Sequence, residues 1–209
     1  MTLRLNGSTS GYTEIDAPAV AGSNTLRLPT GNGSDGNILG TDGAGNLSWV
    51  NGRMVLETAK ATTSGTSIDF TGIPSWVKRV TVMFNGVSIS GGSSILVQVG
   101  TSSGIASSGY KSHTCFIQSG SAASEISSAG FIVVSGNSAD FLHGPLVIST
   151  PGTNTWLASG TMFRDASTDY SVFSSGFVTL SGTLDRLRIT TVNGTDTFDA
   201  GSINILYEG

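Results

Sequence analysis

Apolar and polar residues alternate with a period of two along most of the chain, as in Val80, Val82 and Phe84 against Arg79, Thr81 and Asn85. That period places alternate side chains on opposite faces of an extended strand. The same pattern predicts strands over Ser67–Phe70, Val77–Val87, Ile95–Val99, Tyr110–Gln118, Ala129–Val134, Phe141–Ile148, Thr155–Phe163, Tyr170–Leu180, Leu184–Thr191 and Ser202–Tyr207. Gly and Ser interrupt the chain too often for a long helix. Short helical turns fit only near Pro74–Trp76 and Asp165–Thr168. Closely spaced strands joined by glycine-rich turns predict an all-β fold, an antiparallel sandwich of jelly-roll type. No fixed period of self-similarity points to a repeat architecture.

The pattern changes near residue 50. Before it, apolar residues stand singly or in pairs among Gly, Asn and Asp, at Leu26, Leu28, Ile38, Leu39, Leu47 and Trp49. The expected division is therefore a short extended shaft over residues 1–54 and a sandwich head over residues 55–209. Ordering a backbone costs about 1–2 kcal/mol per residue, and so few apolar side chains bury little in return. The segment is expected to order only when those six residues meet copies of themselves or a docking partner. Three copies about a threefold axis would bring Leu39, Leu47 and Trp49 together, and twofold association satisfies the same pattern.

Composition narrows the partners. Charged residues make up 11% of the chain and hydrophobic ones 38%. The net charge is −4, and the ten Lys and Arg form no basic stripe, so nucleic acid is not an expected partner. The amino-terminal stretch MTLRLNGSTSGY lacks the apolar core of a signal peptide, and no run is long enough for a membrane-spanning helix. Asn-x-Ser/Thr triplets at Asn6, Asn32, Asn46 and Asn193 fall in turn-rich text and say little without a signal peptide. The single cysteine, Cys115, reads as a strand residue and allows neither a disulfide within the chain nor a thiolate zinc site.

No catalytic constellation is expected. Asp165 with Asp169, and Asp196 with Asp199, sit in turn vocabulary rather than as an acid–base pair. His113 and His143 lack metal-ligand spacing, and Asp42-Gly43-Ala44-Gly45-Asn46 lacks the ligand ladder of a calcium loop. Neither a phosphate-binding loop nor a nucleophile elbow is present. The chain is therefore expected to be no enzyme and to use no metal or cofactor. Binding remains. Tyr110 and Trp156 lie among Ser, Thr, Asn and Lys, as a sugar-stacking aromatic would, and equally as core or interface residues. Arg186 and Arg188 share the polar face of one strand, suited to a solvated edge, an intersubunit ion pair or a ligand contact.

Thr25–Pro29 (TLRLP), Gly36–Gly45 (GNILGTDGAG) and Leu47–Trp49 (LSW) resemble the amino-terminal elements of fibre proteins of tailed bacteriophages, particularly those infecting cyanobacteria and other aquatic bacteria. Thr71–Ser88 and Thr183–Glu208 are similar to distal β domains on such fibres, whereas residues 100–170 carry little of the resemblance. It implies a homotrimeric virion fibre, bound to other virion proteins through its amino-terminal part. The head would face outward, toward a bacterial surface polysaccharide or receptor. The family includes tail fibres and capsid fibres, and a chain of 209 residues is short for a long tail fibre. A capsid-decorating or cement-like protein with no receptor site is thus the alternative. A depolymerase head lacks its carboxylate pair, and a cellular sugar-binding module lacks an export signal.

Overall fold

The computed structural model describes residues 3–34, 37–52, 54–118, 120–133 and 137–209. Gly36, within an expected docking element, and Val134, the expected end of a strand, lie outside the described residues. The chain divides into two compact units, residues 1–52 and 53–209.

The first unit holds two hairpins: β1 (Leu3–Asn6) with β2 (Tyr12–Ile15), and β3 (Asn37–Thr41) with β4 (Leu47–Asn51). The pattern of single apolar residues had suggested no strands here. Turn chemistry supplies them. The Asp42 carboxylate accepts the backbone N–H groups of Ala44 (2.8 Å) and Asn46 (3.1 Å), while Gly43 and Gly45 take φ of 79° and 94°. Asn46 Nδ2 also donates to Asp42 Oδ2 at 2.6 Å, and these bonds hold the carboxyl below its ordinary pKa.

The second unit contains β5 (Met54–Leu56), β6 (Lys60–Ala61), β7 (Ser67–Thr71), β8 (Arg79–Ile89), β9 (Ile95–Thr101), β10 (Gly104–Ile105), β11 (Lys111–Gln118), β12 (Ser121–Ser127), β13 (Phe131–Val133), β14 (Phe141–Gly152), β15 (Thr155–Asp165), β16 (Tyr170–Thr179), β17 (Arg186–Thr191) and β18 (Phe198–Glu208). The described residues form no helix. Where helical turns had fitted, Ser75 and Trp76 form a turn, and Ala166 to Thr168 a bend. The fold is all-β, and its strand pairs are antiparallel.

A large sheet runs β12-β11-β16-β15-β14-β8-β18-β5, with β6 also on β18. A small sheet runs β10-β9-β17-β7, with β13 also on β9. One core joins them: Val80, Val82, Leu146, Val172 and Ile205 of the large sheet meet Val97, Phe131, Leu187 and Ile189 of the small one, all fully buried. The chain changes sheet at β6–β7, β7–β8, β8–β9, β10–β11, β12–β13, β13–β14, β16–β17 and β17–β18.

The expected alternation holds for β8, where Val80, Val82 and Phe84 are buried, and for β18, where Ile203, Ile205 and Tyr207 are buried. The inner face also takes polar residues. Arg164 (1% exposed) meets Asp140 at 3.3 Å, and the Tyr170 hydroxyl donates to the same carboxylate at 3.5 Å. Two register shifts in β18 opposite β8 flank Ala200, and the second contains Gly201 (φ 90°), where a Cβ would collide with the Gly86 carbonyl oxygen.

Candidate functional site

The six amino-terminal residues remain largely solvated in the single chain. Leu26, Leu28, Ile38, Leu39 and Trp49 are exposed, and Leu47 is half-buried. Two-stranded hairpins have no second layer to cover an apolar face. Trp49 is partly engaged: its indole N–H donates to the Gly31 carbonyl at 2.6 Å, and its ring packs against Gly33. Arg27 bridges Asn46, which ties the Leu26–Leu28 segment to the start of β4. The structure therefore brings the predicted residues into one unit and leaves most of their apolar surface unused.

Tyr110 and Trp156 do not stand at a ligand surface. Each is 3% exposed in the core. The Tyr110 hydroxyl accepts the Val99 N–H at 2.8 Å and donates to the Val99 carbonyl at 3.2 Å, while its ring meets Phe131 edge-on at 5.1 Å. Burial pushes its pKa up to about 12. Trp156 Nε1 is buried with no hydrogen-bond partner among the described residues. Of the two readings open from the sequence the core one holds, and polar sequence neighbours do not decide between them because successive strand residues point to opposite faces.

Arg186 and Arg188 do share the outer face of β17, opposite the buried Leu187 and Ile189. That strand lies between β9 and β7, so the pair is inside the small sheet rather than at its edge. Arg188 forms a two-pronged bond to Asp69, Nε to Oδ1 and Nη2 to Oδ2, both at 2.7 Å. This hydrogen-bonded guanidinium holds the Asp69 carboxyl below its ordinary pKa. Arg186 donates to Asp185 Oδ1 at 2.8 Å and to the Ser102 carbonyl at 3.0 Å. Beside them, Thr71, Gln98 and Ser107 help line an open depression of about 410 Å³. Charge-assisted hydrogen-bonding groups converge there, and both ion pairs are satisfied within the chain.

The remaining titratable candidates serve turns and strands. Asp169 accepts the Ala166 N–H at 3.3 Å, and Asp196 accepts the Ser93 N–H at 3.1 Å. His143 Nδ1 accepts the Gly86 N–H at 3.2 Å, across the junction of β14 and β8. Among the described residues no group of three or more His, Cys, Asp or Glu could hold a metal ion. No described helix is long and apolar enough to cross a membrane.

The outer face of the large sheet was not foreseen from the sequence. Phe173 and Phe177 on β16 point away from the core, and Phe163 and Leu157 do so on β15. Apolar residues on both faces of a strand conceal which face is inside. The buried small polar residues Ser112, Thr114 and Ser174 could have marked it only through their bonds, which span distant parts of the chain. Comparison with protein-family models, curated proteins and solved structures found no match for this chain.

Proposed function

We propose that the chain is a structural fibre protein of a bacteriophage virion, a homotrimer whose residues 1–52 attach it and whose head contacts a bacterial surface glycan. The observation that carries this reading is the exposure of Leu26, Leu28, Ile38 and Leu39 in a chain whose head has a complete core of its own. A segment with that much unburied apolar surface is suited to docking. Its sequence elements are the ones that resemble phage fibres. The jelly-roll reading of the head is supported by strand order. β17 inserts between β7 and β9, and β18 between β5 and β8, as when a chain winds back on its own beginning. The outer face of the small sheet, with Asp69, Arg186 and Arg188, is the proposed glycan contact, since paired charged groups there can bond sugar hydroxyls. Three heads on one stalk would raise avidity over a single site by about 10²- to 10⁴-fold where geometry allows.

Electron microscopy of virions carrying a tag on this chain tests the reading. Label at a tail tip or capsid vertex supports it, and virions without label overturn it. Binding of the full chain to whole cells or arrayed glycans, lost on Arg188→Ala, tests the head contact. A capsid location without cell binding would favour the decorating-fibre alternative, which the same exposed amino-terminal residues support.

A further inference from the structure

The two sheets treat their outer faces differently. The small sheet presents Asp69, Arg186 and Arg188 in bonded pairs, as a sheet face turned to water should. On the large sheet the outward positions of β15 and β16 include Leu157 (44% exposed), Phe163 (44%), Phe173 (38%) and Phe177 (43%). Register sets them in rows. Leu157 lies opposite Phe177, which lies opposite Lys111, while Phe173 lies between Thr161 and Cys115. Further outward apolar residues stand at the two ends of the sheet, Leu206 opposite Leu56 and Ile126 on β12, and the row between them runs through Thr81, Val147, Ser159, Ser175 and His113. Between the rows stand small uncharged residues, Ser159 opposite Ser175. Its charges are few and balance in sign: Arg79 meets Glu208 at 3.2 Å, Lys111 lies 5.9 Å from the centre of the Phe177 ring, and Asp165 is exposed opposite Phe141.

We propose that this face packs against sister copies of the same chain. It rests on the fibre reading for the number of copies, and it places a contact in the head rather than in residues 26–49. Eight strands of three to twelve residues, about 4.8 Å apart and about 3.3 Å per residue, give the face roughly 1,150 Å². Each partner in a standard stable interface contributes about 800 Å². Near-neutrality favours an identical partner, because two copies of one charged face repel. Ser159 and Ser175 leave room for aromatic rings from a facing copy to approach the sheet. A saccharide would stack on one or two rings, whereas Leu157 and three phenylalanines stand together on β15 and β16.

The full-length chain and its one cysteine supply the test. Cys115 is half-buried on this face, opposite Phe173. Its reaction with a bulky maleimide is measured across protein concentrations, beside the sedimentation mass of wild type and of the F173S/F177S variant. Expected are an oligomeric wild type in which Cys115 reacts at least about tenfold more slowly than after dilution to monomer, and a variant of lower mass with unchanged far-ultraviolet circular dichroism. An oligomer whose Cys115 reacts at the monomer rate overturns the proposal while leaving the fibre reading standing. A monomeric wild type overturns both the proposal and the trimer. Protection of Cys115 that appears only on adding soluble bacterial polysaccharide also overturns it, and marks a saccharide face instead. If the variant fails to fold, the wild-type labelling decides alone.

Discussion

Single residues in the head are held by bonds that sequence neighbours do not reveal. Tyr110 closes both the N–H and the C=O of Val99 with one hydroxyl. Tyr110→Phe should cost about 1–3 kcal/mol, because buried backbone groups lose their partner, and urea unfolding will measure it. The raised pKa has a sign: the folded state holds the proton more tightly than the unfolded chain. The wild-type advantage over Tyr110→Phe should therefore be complete below pH 10 and fade as pH rises toward about 12. Arg164 and Asp140 form a buried ion pair between the end of β15 and the residue preceding β14. Asp140→Ala should destabilise by about 3–5 kcal/mol, since it removes the carboxylate from beside a buried guanidinium; a much smaller shift in the urea midpoint would refute that role. Arg164 was not legible as structural, since it looked like any charged residue in a strand, whereas Tyr110, followed by Lys111 and Ser112, read equally as a surface aromatic and as a core residue.

At the level of elements, hydroxyls couple the two sheets. The Ile132 N–H of β13 donates to Ser112 Oγ at 2.9 Å, and its carbonyl accepts from Ser174 Oγ at 2.6 Å. β13 belongs to the small sheet, and both serines to the large one. Ser174→Ala should lower stability by about 1–3 kcal/mol, with faster amide exchange at Ile132 than at Val97 as the local signature. The β14–β15 hairpin turns through Thr153 and Asn154, with φ of 52° and 59°. A β-branched residue is strained in that region. Thr153→Asn should stabilise by up to about 1 kcal/mol, seen as a raised melting temperature. β8 and β18 were legible in the sequence because one face is apolar and the other polar. β12, SAASEIS, was not: it has almost no apolar alternation, and pairing with β11 makes it a strand. The faces of β15 and β16 were ambiguous because both sides carry large apolar residues.

For the molecule as a whole, the core lies entirely in the second unit. Leu39→Ser should leave the main thermal transition within about 0.5 kcal/mol of wild type, as surface changes usually do, and on the proposed fibre reading it should weaken assembly, read as a lower sedimentation mass. A large fall in melting temperature would contradict the separation of roles. The change of pattern near residue 50 was legible, whereas the β3–β4 hairpin before it depends on Asp42, Gly43 and Gly45. One feature of the head also governs how it is made. β8 pairs with β18 along most of its length, yet β18 is the last strand of the chain. At synthesis rates of about 5–20 residues per second, the nascent head waits several seconds with one edge of β8 unsatisfied. Until β18 emerges, that edge is a template for any neighbouring nascent chain. Yield in the cell should therefore depend on translation density, and chains cut short before Phe198 should aggregate rather than assemble.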